Sequence, residues 1–389
     1  MDLLEPVLFT DAWGSHVSIA SLQGRPIPSA EPESELWMGA HESGPSGITR
    51  DGVATTLAEV IRKDPVAELG ERCAADFEGR LPFLLKVLAP GRAISIQAHP
   101  SAAQAREVRE RDGDATYVDD WAKPELLVAI APFTVFVGMR THDEVSALAK
   151  RLGVARLTSL VEAAAREPRP EHALLRSILA VPAEEHVGFV RELVAACVRA
   201  SASPDDEGHQ CAAIAHVAED HPDDIGIAVL LLMYHRVLEP GEYVDVPAGV
   251  LHSYVSGLGI EVLANSDNVV RAGLTHKQVD VPELLRIVDP DEDGCVGHAE
   301  PDPRLPATVR FPSRSDRFAL RRLSAPADVV LPGDGTPRIV FCLHGEVTLT
   351  TAGASLDLGP VRAAYLSARD QEVSVTGSGE VYLVTLPGV

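Results

Sequence analysis

The strongest constraint on this chain is a short polar strand set among apolar segments. Gly91-Arg92-Ala93-Ile94-Ser95-Ile96-Gln97-Ala98-His99-Pro100 reads as a glycine turn and then one strand, which Pro100 should end. Successive side chains on a strand point to opposite faces. Ser95, Gln97 and His99 are therefore expected on one face, with Ile94 and Ile96 on the other. Buried polar groups need partners, and metal coordination would supply one here.

The remainder of a metal site can be read downstream. Lys123-Pro124-Glu125, if extended, puts Lys123 and Glu125 on one face. Gly241 is followed by five residues, Pro247, one residue, Gly249, two residues and His252. That spacing resembles the second signature of the cupin jelly rolls. Gly91, Gln97 and His99 resemble the first signature, with Gln in place of its first His. Gln97, His99, Glu125 and His252 then form a nitrogen and oxygen donor set suited to zinc or a neighbouring divalent ion.

Three further segments carry a closer resemblance. They are Glu35-Leu36-Trp37-Met38-Gly39-Ala40-His41, the run from Leu81 to Leu88, and the run from Glu261 to Thr275 with Lys277 two residues on. With the cupin motifs, they make the chain similar to the type I mannose-6-phosphate isomerases (phosphomannose isomerases). The matches extend from Trp13 to Lys277. The resemblance implies interconversion of mannose 6-phosphate and fructose 6-phosphate through an enediol, with one zinc ion per chain. It implies that Arg271, Lys123 and Glu261 surround the reacting carbons, and the sequence does not choose among them for proton transfer. Ser95 and Lys277 are expected at the phosphate end, with Lys86 and Asp267 also in substrate-binding motif positions. The chain departs from the family at Ser101-Ala102-Ala103, where Asp and Lys usually follow His-Pro, and at His276, where Pro is common.

Plainer readings stand beside these. Glu125 could simply pair with Lys123, as exposed charges do. Lys86, flanked by apolar residues, reads equally as a snorkelling residue of an edge strand. Trp13 reads as a buried aromatic beside a turn, and His41 as a structural histidine.

Formal net charge is −23, from 34 basic and 57 acidic residues, which disfavours nucleic acid and anionic membranes as partners. A phosphorylated sugar is an anion, so its site must be a local basic patch on this acidic chain. Five cysteines are scattered without CxxC spacing, which fits a reducing cytoplasm. The N-terminus lacks the pattern of a signal peptide, and no run of about 20 apolar residues could span a bilayer. The chain is expected to be monomeric.

The expected fold is mainly β, with two cupin-type jelly rolls and an inserted α-helical domain. Residues 1–140 and 226–305 are assigned to the catalytic jelly roll, on the strength of Gly and Pro punctuation and short apolar runs. Residues 141–225 are rich in Ala, Leu, Glu and Arg at helical spacing and form the insert. Within it, 201–208 reads as a polar loop. Residues 289–306 read as an acidic, Pro-rich linker, and 306–389 as a second, degenerate jelly roll without metal, with His344-Gly345 separating two of its strands. Short helices are predicted after Thr55 or Thr56, after Ser101 and over 281–288.

Two other functions use the same residues. A cupin that senses sugar phosphates without turnover needs the metal ligands but not Lys123, Glu261, Arg271 and Lys277 together. An iron oxygenase would prefer a facial triad.

Overall fold

The computed structural model describes residues 1–113, 116–277, 279–305, 307–324, 329–331 and 333–388. The architecture is mainly β. Three antiparallel sheets of five, seven and nine strands carry it, with a two-stranded ribbon and a run of helices.

The five-stranded sheet runs Met233–Leu238, Phe133–Met139, His252–Ser256, Ile96–Ala98, Val270–Gly273. The seven-stranded sheet runs Cys295–His298, Glu242–Val246, Glu125–Ala129, Gly259–Ala264, Phe83–Leu88, Glu35–Met38, Val7–Phe9. Their inner faces share one apolar cluster, in which Leu88, Leu127 and Val244 meet Val135, Val137 and Tyr254. The other face of the seven-stranded sheet, through Leu85, Val87, Leu126 and Val262, packs against Phe311, Ile339, Phe341 and Tyr382 of the nine-stranded sheet. The seven-stranded sheet is therefore covered on both sides, and Phe83–Leu88 is buried along its whole length.

Helices fill the sequence between Phe133–Met139 and Met233–Leu238, two strands that pair directly with each other. Thr141 opens the first of them, His142–Leu152, through a capping box with Glu144, and Gly153 closes it in the left-handed conformation. Val145, Leu148, Leu152, Leu174, Leu175 and Ile178 are buried, as their helical spacing predicts. This cluster also takes in Ile96, Ala98, Phe136, Val255 and Ala272, so the helices cover the outer face of the five-stranded sheet. The last of the six, Gly226–Leu230, ends just before its strand begins.

Several expectations need adjustment. The pivotal strand is Ile96–Ala98, three residues long. Ile94 precedes it and packs against the cluster between the sheets, whereas Ile96 joins the helical core, so the two isoleucines do not share a face. The loop at 201–208 is shorter than expected, because Asp205 caps a helix that starts at Asp206. The acidic stretch after 289 is no bare linker: Cys295–His298 pairs with Glu242–Asp245, and Glu300–Pro301 pairs with 309–310. Its last residue, Pro306, lies outside the described residues. His344 and Gly345 do not separate two strands. Arg338–Thr350 is one strand that absorbs them in a register shift. The helices at Leu57–Lys63, Ala102–Asp112 and Val281–Ile287 are present, capped by Thr56, Ser101 and Asp280. At the other end of the chain, Asp2–Leu4 pairs with Arg362–Leu366 in the nine-stranded sheet.

Gly273 and Gly226 lie where the edge strand meets the last helix. A Cβ on Gly273 would stand 2.5 Å from the Gly226 Cα. Gly273→Ala is expected to lower stability by about 2 kcal/mol or more, because backbone, unlike a side chain, cannot yield. Urea denaturation reads this directly, and an unchanged midpoint would contradict the contact.

Candidate metal centre and cavity

Register builds the site. His252 stands opposite Gln97 on one side of the short central strand, and Arg271 stands opposite Gln97 on the other. Directly paired residues project to the same face, so these three side chains form one row. The facing sheet supplies a second row, Trp37, Lys86, Glu261 and Leu127, paired in succession. Glu125, two residues before Leu127, shares that face.

His99, Glu125 and His252 converge, with donor atoms all within 4.8 Å of one another. All three are buried. His99 Nδ1 lies 2.7 Å from the Asn268 carbonyl oxygen, and His252 Nδ1 lies 3.0 Å from that of Val250. A carbonyl can only accept, so each Nδ1 carries the proton and each Nε2 presents a lone pair. Those lone pairs point toward Glu125. His99 Nε2 is 3.1 Å from Oε1 and His252 Nε2 is 3.4 Å from Oε2. Three buried acceptors facing one another repel unless a cation lies among them. His99 Nε2 has no hydrogen-bond donor, which makes it the orphaned atom of the trio. The donor set thus fits a divalent metal, with backbone carbonyls fixing both imidazoles from behind.

Gln97 Nε2 lies 3.4 Å from His252 Nε2. Turning the amide over exchanges its nitrogen for an oxygen donor, as a ligand role requires. Tyr254 OH reaches Glu125 Oε2 at 3.3 Å, and Lys123 Nζ reaches Oε1 at 3.3 Å.

The electrostatics follow from burial. Burial pushes His99 down to about 4, against the pull of Glu125, so its ring is neutral at physiological pH. Burial opposes the charge on Glu125, yet the Lys123 ammonium holds its carboxyl well below the usual range. Burial and the Glu125 charge push Glu261 up to about 8. Burial also works against the Lys86 charge, but Glu35, Glu261 and Glu125 outweigh it and raise that group. Lys86 is no snorkelling edge residue. Its Nζ lies 3.1 Å from Glu35, 3.7 Å from Glu261 and 4.6 Å from the centre of the Trp37 ring, inside an interior strand.

The trio lies at a cavity of about 570 Å3 whose lining includes Glu125. Ser95, Gln97, Lys86, Lys123, Glu261, Arg271 and Lys277 all line it as well. Among the described residues no carboxylate pairs with Arg271 or Lys277 (burial lowers the Arg271 group somewhat), although the chain as a whole is strongly acidic. Asp267 does not line this cavity. It lies on another cleft, paired with His41 at 3.3 Å, and His41 packs edge-on against Trp37.

Several contributors to the site carry weaker sequence signals. Trp13 lines the cavity in addition to packing. Tyr254 stands two residues beyond His252 on one strand, and the period that linked Gln97 to His99 could have found it. Asn268 carries no sequence signal of its kind. Its amide donates to Asp119 and Trp121 carbonyls at 2.7 and 2.9 Å, fixing the loop ahead of Lys123 while its own carbonyl holds His99.

Glu125→Ala leaves two neutral imidazoles without their carboxylate and is expected to cost at least about 10-fold in zinc affinity. Competition with a chromogenic chelator measures it, and unchanged affinity would contradict the cluster. The folded Glu261 group sits near 8, above its ordinary 4.5, so the folded state holds this proton more tightly. Metal-free protein should therefore lose stability as pH rises across that window, and Glu261→Gln should remove the loss. Melting temperatures of both chelated proteins between about pH 5 and about pH 9 test this, and parallel curves would contradict it.

Residues 2–142 match the family model described as phosphomannose isomerase type I, catalytic domain. The mannose-6-phosphate isomerase of Salmonella typhimurium is 32% identical over 382 residues, 95% of each chain. That of Mus musculus is 28% identical, covering 88% of this chain and 89% of its own. Among solved structures, a mutant phosphomannose isomerase from Salmonella typhimurium superposes with a TM-score of 0.90 at 31% identity, over 99% of both chains. A mannose 6-phosphate isomerase bound with zinc and yttrium superposes with a TM-score of 0.87 at 30% identity, again over 99% of both chains.

Proposed function

The chain belongs to the type I mannose-6-phosphate isomerases, and on that premise we propose how its cavity interconverts mannose 6-phosphate and fructose 6-phosphate. The observation that carries the reading is the buried His99–Glu125–His252 trio beside a cavity with two cations, Arg271 and Lys277, that lack a carboxylate partner among the described residues. Zinc is the proposed metal, one per chain, held by His99, Glu125, His252 and Gln97. When bound, it would polarise the sugar's oxygens as a Lewis acid.

The chain's own groups divide the remaining work. Lys277 and Ser95 hold the phosphate end, while Arg271, able to bind an oxyanion through two parallel hydrogen bonds, stands with Lys123 and Glu261 around the reacting carbons. Lys123 sits beside the ligand carboxylate and donates toward the sugar oxygens that become the enediol. Glu261, a buried carboxyl that lines the cavity beside Lys86, is assigned the proton transfer between the two carbons. Lys86 and Glu35 hold Glu261 in place. Asp267, paired with His41, supports the rim of this region and touches no sugar in this scheme.

The five- and seven-stranded sheets are read as the walls of a cupin jelly roll, and the nine-stranded sheet as a second one without metal. The scattered free thiols, four of five buried, support a cytoplasmic setting. A monomer is the proposed assembly.

Conversion of mannose 6-phosphate to fructose 6-phosphate before and after chelation tests the whole. Loss on chelation and return with zinc are expected. Saturable binding without turnover by metal-loaded protein would overturn the reading in favour of a sensor. Glu261→Gln is expected to lower kcat by roughly 10²-fold or more with little change in KM. A kcat within a few-fold of wild type would move the proton to another group.

A further inference from the structure

The turn that opens the short central strand carries a cation at the same cavity, Arg92. Its Nε lies 3.4 Å from Asp220 Oδ1, with side chains 61% and 32% exposed. Asp220 is the last residue of the helix Asp206–Asp220 and lines the cavity too. The pair therefore links the helical segment to the strand turn across one cavity.

Two features make this pair an exchangeable contact. Exposed ion pairs are weak. A carboxylate at the C-terminal end of a helix also faces the negative end of the dipole, so Asp220 occupies a position that favours cations. Arg92 shares the cavity lining with Ser95, Arg271 and Lys277. A phosphate dianion brings twice the charge of a carboxylate and a matching set of acceptors for a guanidinium.

We propose that Arg92 is a phosphate-binding residue of this cavity and that Asp220 is its competitor, so that the end of the helical segment sets the affinity for the phosphorylated sugar. The inference rests on the sugar-phosphate reading of the cavity. With the cavity empty, Asp220 holds Arg92. An arriving phosphate takes over the guanidinium and leaves Asp220 to solvent. The net gain is smaller than Arg92 alone would give, which keeps affinity moderate and release easy.

The test is calorimetric titration of inorganic phosphate into zinc-loaded protein. Arg92→Ala is expected to weaken phosphate binding about 10-fold, Arg92→Lys less, and Asp220→Asn to tighten it about threefold or more. The KM for mannose 6-phosphate should move in the same directions, with kcat within about twofold, as a purely binding residue requires. Zinc content and melting temperature check that each variant is folded. Unchanged phosphate affinity in Arg92→Ala, weaker binding in Asp220→Asn, or no phosphate binding by wild type overturns the proposal. Phosphate binding does not require turnover, so an inactive wild type that still binds phosphate through Arg92 would sink the isomerase scheme and leave this inference standing.

Discussion

Two hydrogen bonds from imidazoles to backbone carbonyls determine what this cavity can do. By donating Nδ1–H to Asn268 and Val250, His99 and His252 must turn bare Nε2 atoms toward Glu125. A buried arrangement of three acceptors is unfavourable as a core and favourable as a cation site. The sheets around it keep the rings from relaxing. The helices seal one side, the nine-stranded sheet the other, and the row His252, Gln97, Arg271 is locked by cross-strand register. Asn268 extends that control to the loop before Lys123, so one residue ties a ligand to the segment that supplies the next one.

Charge is the second organising theme. A chain with a formal net charge of −23 repels anions at long range, and an anionic substrate must be drawn by local cations instead. Three of the five lysines and arginines that line the cavity face carboxylates: Lys86 pairs with Glu35 and Glu261, Lys123 with Glu125, and Arg92 with Asp220. Such pairing fixes side chains, while burial and the Glu125 charge push the Glu261 group upward against the pull of Lys86. Among the described residues, Arg271 and Lys277 line the same cavity without a carboxylate partner.

Much of the metal site was legible because β structure has a period of two and the ligands obey it. Gln97 and His99, and Lys123 and Glu125, are such pairs, and the glycine and proline spacing before His252 marks the turn that delivers it. The helical run was legible from its 3.6-residue spacing and its caps. Failures came where local pattern and tertiary context part. Ile94 and Ile96 alternate in sequence, but the chain enters the sheet only at Ile96. Four residues of edge strand at Cys295–His298 are hidden in acidic, proline-rich composition, because their partner strand supplies the order. The glycine after His344 suggested a turn, whereas a long strand absorbs it as a bulge. Asp267 lies within a distinctive motif, yet a neighbouring histidine draws it to another cleft. Arg92 and Asp220 are 128 positions apart, and no local rule could have joined them.

The buried trio brings imidazole nitrogens and carboxylate oxygens together as a metal site. X-ray absorption at the zinc edge of the metal-loaded protein tests it most directly. Two imidazoles and oxygen donors at about 2.0–2.2 Å are expected, with no sulfur in the shell. A sulfur shell at about 2.3 Å, or a spectrum without imidazole scattering, would contradict it.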